Sequence, residues 1–147
     1  MSDPLSRPFS RYAAWGSFAA WTVLVFILSS IRGDDLSAIP IEFIGLDKIA
    51  HIVLFLIGGF TLTAALRLTF RWPATLIFLA AFLYLACFGV CDEIRQLFTP
   101  NRSGADVYDW LADAVGAVIG SLAFLILYGI TPLRRLVAAH AVPEEGN

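Results

Sequence analysis

Asp106, Asp109, Asp113, Gly116 and Gly120 follow one another at spacings of 3, 4, 3 and 4. In a helix they share one face, which passes from carboxylate to glycine. Acids on the packing face of an apolar helix are expected to meet cations, protons or hydrogen-bond donors, with Asp106, nearest the turn, the most easily solvated. A second stripe, Asp47, His51, Leu54, Gly58, Thr61 and Ala65, has spacings of 4, 3, 4, 3 and 4 and is likewise polar at one end and small along its length. Between the stripes stand Glu93 and Gln96, three apart on one helical face, and then Arg102 in a turn marked by Pro100, Asn101 and Gly104.

Asp47, Lys48, His51, Glu93, Gln96, Arg102, Asp109 and Asp113 are therefore the candidate polar cluster. His51 can bond to Asp47 one turn earlier or handle a proton. Arg102 can bridge carboxylates through its planar fork, or receive a lipid phosphate or another anion. Glu93 as general base, His51 as its acid partner and Arg102 beside a developing anion would make an acid–base site. Metal ligation by Asp47, His51 and Glu93 is chemically available. No HExxH or other close-set ligand motif supports it, so neither a metal nor a cofactor is expected. There is no glycine-rich phosphate loop, nucleophile elbow or zinc ribbon, and Ser103 is only a remote candidate nucleophile.

The elements that must hold these groups are apolar. The 147 residues are 59% hydrophobic and 15% charged, with a mean hydropathy of +0.77, which excludes an ordinary soluble domain. No basic stripe is present to bind nucleic acid. Windows at about 12–31, 49–66, 72–91 and 114–133 read as spans, since ~20 residues cross a hydrocarbon core of ~30 Å. The expectation is an all-α membrane protein, one domain over 1–147 built as a bundle of four transmembrane helices. The first window competes with a signal peptide but is longer than a usual apolar core and lacks a clear cleavage site, so it reads as an anchor. Gly116 and Gly120 form a small-xxx-small pattern for close helix packing. Cys87 and Cys91 are expected as small buried side chains. Phe55, Phe78, Phe82 and Phe124 read as packing or lipid-facing rings, and Trp15 and Trp21 carry no specific signal.

Four spans put both termini on one side. The two tails and the 67–71 turn hold six Arg, against four Lys and Arg in the 32–48 and 92–113 segments. The positive-inside rule then predicts cytoplasmic termini, with the polar cluster at the outer interface.

Asp47-Lys48-xx-His51, Glu93-xx-Gln96, Arg102-Ser103, Asp109 and the Gly116-xxx-Gly120 helix, in this order, resemble the VanZ-like membrane proteins, named after a protein associated with teicoplanin resistance. The resemblance runs from about 47 to 127. It departs at Asp113, where an Asn is expected four residues after Asp109. It implies a small integral protein of the bacterial plasma membrane linked to the cell envelope and, in some members, to glycopeptide susceptibility; it implies no chemical mechanism.

Three readings stay open. The first is a non-enzymatic protein whose cluster binds membrane lipid, through a polar headgroup, or a lipid-linked cell-wall precursor. The second is an interfacial enzyme with Glu93 and His51 as acid–base pair. The third is a proton-coupled carrier, disfavoured because no ionisable group follows Thr61 along the second stripe before Arg67.

Overall fold

The computed structural model of the chain describes residues 6–34, 46–102 and 104–130. Ser103, the 35–45 segment with Pro40, and the C-terminal Pro132, Arg134 and Arg135 lie outside the described residues. The described residues contain no strand and four long helices. These are α1 (Ser6–Ser29), α2 (Leu46–Thr69), α3 (Ala74–Gln96) and α4 (Val107–Ile130). All four are long and apolar enough to cross a membrane.

The helices extend beyond the charge-free windows at their polar ends. α2 begins at Leu46 rather than 49, and α4 at Val107 rather than 114, so Asp47, Lys48, Asp109 and Asp113 all lie within helices. Charged residues can lie inside these ends because they meet one another across the bundle. At the opposite pole, α2 and α3 are joined by a tight hairpin. Phe70 N–H donates to the Leu66 carbonyl at 2.8 Å, and Arg67 donates to the Trp72 carbonyl at 3.3 Å.

α2 and α4 run side by side in the same direction and make the most extensive contact of the bundle. Glycine allows this approach. A Cβ at Gly116 would meet the Ile52 carbonyl, one at Gly120 the Leu56 carbonyl, and one at Gly59 the Ala117 carbonyl. Packing is thus backbone against backbone, the geometry that small residues permit in lipid.

α1 and α3 flank this pair. Trp21 of α1 covers Gly58, where any Cβ would strike the indole, and donates its N–H to the Leu54 carbonyl at 2.7 Å. Trp15 donates to the Thr69 hydroxyl at 2.9 Å. The tryptophans that carried no signal in the sequence therefore fix α1 on α2, because an indole N–H within an apolar bundle requires an acceptor. The Leu54–Gly58 part of the second stripe faces α1, while Ile52, Leu56 and Gly59 face α4. Phe18, Val25, Phe55, Leu62, Ala81, Leu85 and Ala117 close the core around Trp21. Phe124 packs with Ala64 and Tyr128, whereas Phe78 and Phe82 are only partly covered and stack on each other.

Outward faces are apolar at helical spacing, as with Ile49, Val53 and Ile57 on α2 and Leu76, Leu79 and Leu83 on α3. Hydrocarbon would cover these rows. Cys87 and Cys91 also lie exposed on α3, which corrects the expectation of burial. The inner face of α3 is occupied instead by Ile77, Ala81, Leu85, Gly89, Asp92, Glu93 and Gln96, which leaves both thiols outside it.

Candidate functional site

The end of α1, the start of α2, the end of α3 and the start of α4 meet at one pole. Asp106 initiates α4. Its carboxylate accepts the Tyr108 N–H at 2.7 Å, as an N-cap residue does. That backbone bond, with the nearby Lys48 ammonium, holds the Asp106 carboxyl below its ordinary range. Lys48 Nζ lies 3.2 Å from the other Asp106 oxygen and also binds Asp109 Oδ1, with Asp47 at 3.8 Å. Asp106 is thus engaged rather than merely solvated. Asp109 is only 6% exposed, so Lys48 neutralises a charge that water barely reaches.

The loop into α4 is fastened to α3. Asp106 N–H donates to Glu93 Oε2 at 3.0 Å, and Ala105 N–H to the Glu93 carbonyl at 3.2 Å. Ala105 takes a left-handed φ of 60° to make this turn. At Gly104 a Cβ would strike the Leu97 amide and the Glu93 carbonyl, so a bare backbone is needed for the loop to lie on the helix end.

His51 meets Asp113 across the α2–α4 contact, with Nδ1 2.8 Å from Oδ1. The side chains are 11% and 1% exposed. The expected Asp47 partner is only at 4.0 Å, from Nε2. Asp47 is 67% exposed and largely hydrated, whereas Asp113 is buried and requires a partner, so the longer-range pair forms at hydrogen-bond distance. Asp113 Oδ2 is buried with no hydrogen-bond partner and lies toward α3, where a Cβ at Gly89 would stand 2.9 Å from it.

Asp92, which the spacing argument passed over, organises the α3 side. Its Oδ2 accepts from Ser29 at 2.6 Å and from Gln96 Nε2 at 2.9 Å, and its Oδ1 from Arg95 at 3.2 Å. Arg95 also donates to the Phe26 carbonyl and the Ser30 hydroxyl and lies 4.3 Å over the Phe26 ring. The signal was present: Leu85, Gly89, Asp92 and Gln96 are spaced 4, 3 and 4.

Gln96 links the two halves, approaching Glu93 Oε1 at 3.4 Å and accepting from Arg102 Nη2 at 2.9 Å and Nε at 3.3 Å. Arg102 was expected to bridge carboxylates. Its position on the neutral Gln96 amide corrects this, because Lys48 and Arg95 already take the nearby acids. Among the described residues no carboxylate lies within 4.0 Å of its guanidinium nitrogens.

Among the described residues, two groups of donor atoms are close enough to share a cation. One is Asp47, His51 and Asp109; the other is His51, Glu93 and Asp113. Within each, one donor atom per residue lies within 4.8 Å of the others. The pole thus offers hydrogen-bonding carboxylates, an imidazole and a guanidinium without an anionic partner among the described residues.

A protein-family model described as VanZ/LLP1 matches residues 6–128, most of the chain. No curated protein and no solved structure matches it.

Proposed function

The chain belongs to the VanZ-like family, and from that premise we propose that it is a non-enzymatic envelope protein whose polar pole binds an anionic lipid headgroup or a lipid-linked cell-wall precursor. Occupancy of that pole alters susceptibility to glycopeptides of the teicoplanin type. The observation that carries this reading is Arg102. Its guanidinium rests on the amide oxygen of Gln96, half-buried, with no carboxylate beside it among the described residues. An arginine so held presents unused N–H donors to a phosphate oxygen. Lys48 and Arg95 already engage Asp106, Asp109 and Asp92, so Arg102 is the cation left to meet an arriving phosphate among the described residues.

The reading takes the membrane as bacterial plasma membrane and both termini as cytoplasmic, which puts the pole at the outer interface where such precursors are exposed. A reporter fused after Asn147 is then active in its cytoplasmic form; a periplasmic signal inverts the assignment.

The test compares teicoplanin susceptibility of a deletion strain complemented with wild type, Glu93→Gln or Arg102→Ala at equal membrane levels. Wild type alone restores tolerance, and lipid-precursor profiles of the same strains stay unchanged. Equal behaviour of all three strains overturns the reading.

The second reading is an interfacial enzyme acting on a lipid-linked substrate, with Glu93 and His51 as acid–base pair. It draws on the proximity of His51, Glu93 and Asp113 donor atoms. With Oε2 accepting the Asp106 amide, Glu93 would act as a base through Oε1. An altered precursor profile in the wild-type strain would favour it.

A further inference from the structure

The charges at this pole do not balance. Among the described residues Arg32 pairs with Asp34, and the remaining acids, Asp47, Asp92, Glu93, Asp106, Asp109 and Asp113, stand against Lys48, Arg95 and Arg102. Lys48 is engaged by Asp106 and Asp109 with Asp47 nearby, and Arg95 by Asp92. Glu93 and Asp113 therefore have no Lys or Arg partner among the described residues, and both are buried. Uncompensated carboxylates in a low-dielectric bundle cost several kcal/mol, so such a pair needs a positive charge or protons.

The geometry points to a divalent transition-metal site, of the kind that takes Zn(II), formed by His51 of α2, Glu93 of α3 and Asp113 of α4. Three observations converge on it. One donor atom from each residue lies within 4.8 Å of the other two. Asp113 Oδ2 is fully buried, has no hydrogen-bond partner among the described residues, and faces α3. Gly89, one turn before Glu93, leaves open the space beside that oxygen which any larger residue would fill.

The donor set fits the ion. One imidazole nitrogen and two carboxylate oxygens suit zinc, and two carboxylates cancel a charge of 2+ so that a neutral unit remains within the bundle. Bonds of ~2.0–2.2 Å place ligand atoms of one tetrahedral ion roughly 3.4 Å apart. Side-chain adjustment within the present helix spacing closes the remaining separation. Three protein ligands leave a fourth position for water or a substrate oxygen, the pattern of an open rather than a purely structural site. Because each ligand comes from a different helix, no close-set motif appears in the sequence.

The alternative trio of Asp47, His51 and Asp109 fits less well. Asp109 already binds Lys48, whose ammonium would face the cation, and Asp47 is two-thirds exposed. This metal inference does not depend on lipid binding at Arg102, which lies on Gln96.

The test uses the full chain in lipid nanodiscs, stripped with a chelator and titrated with Zn(II) against a chromophoric competitor. Wild type binds one equivalent. His51→Ala, Glu93→Gln and Asp113→Asn each weaken binding by more than about 100-fold, beyond what loss of an outer-shell partner costs. Asp47→Asn leaves it unchanged. Should a ligand variant fail to fold, X-ray absorption at the zinc edge of the wild-type protein still decides. A shell of nitrogen and oxygen at about 2.0 Å is expected. Absence of stoichiometric zinc, binding indifferent to Asp113→Asn and Glu93→Gln, or sulfur in the shell from Cys87 or Cys91 would overturn the assignment.

Discussion

Ser29, at the last turn of α1, donates its hydroxyl to Asp92 Oδ2 near the end of α3 at 2.6 Å, and both residues are buried. This bond joins the N-terminal helix to the polar pole, where α2, α3 and α4 supply the other charged groups.

Ser29→Ala should therefore destabilise the bundle by about 1–3 kcal/mol, the cost of removing a partner from a buried acceptor. Thermal unfolding in detergent reads this directly, and Ser29→Thr should recover most of the loss. An unchanged melting temperature for Ser29→Ala would show that Gln96 and Arg95 suffice to hold Asp92.

Two glycines on α4 should respond with opposite signs. At Gly120 a Cβ runs into the Leu56 carbonyl, so Gly120→Ala must separate α2 from α4 at about 1–3 kcal/mol. At Gly129 no described residue lies within 4 Å of an added Cβ, so Gly129→Ala gains helix propensity of about 0.5–1 kcal/mol. Equal effects of the two in parallel melts would contradict backbone-to-backbone packing along this face.

Lys48 and Asp109 should behave as a coupled pair. Lys48→Met leaves a nearly buried carboxylate uncompensated and is expected to cost about 1–3 kcal/mol, less than for a fully buried pair because Lys48 itself is 38% exposed. Adding Asp109→Leu should recover part of that loss. A double-mutant cycle with additive costs would break the pairing.

The Asp106 cap carries a pH signature. Its carboxyl titrates lower in the folded protein than the ordinary 3.8, because the charged form accepts the Tyr108 N–H and faces Lys48. A depressed pKa contributes stability above the unfolded value, which is lost as pH falls through the lower folded value. Asp106→Ala should thus lower the melting temperature at pH 7, and the gap from wild type should narrow below about pH 4. A gap that stays constant down to pH 2 would exclude the carboxylate as its source.

The four helices were legible because uninterrupted apolar windows of this length have few other uses. Their polar ends were less so, since charge was read as the limit of a span, whereas Asp109 and Asp113 continue α4 inward by pairing with Lys48 and His51. Spacing along one helix finds shared faces but not partners on other helices. It brought Asp47 to His51 and missed Asp113, and it set Arg102 among carboxylates when the closer cations had already taken them. Trp21 and Ser29 were passed over for the same reason. Each looks ordinary in its own segment, and its significance lies in an acceptor 33 or 63 residues away. The cysteines were misassigned by residue type alone, since free cysteine is usually buried and nothing in its neighbours shows that α3 turns this side outward.

The pairing of Lys48 with Asp109 also favours an order of assembly. α2 leaves the ribosome well before α4, and it carries the ammonium and imidazole that α4 needs. A lone α4 entering the bilayer brings two carboxylates without counter-charges and is held back by their hydration. Docked along the glycine face of α2, the same helix enters with Asp109 paired to Lys48 and Asp113 hydrogen-bonded to His51. The last described helix is thus expected to hold its place in the membrane less firmly in a chain truncated or misinserted at α2, which removes the partners of Asp109 and Asp113.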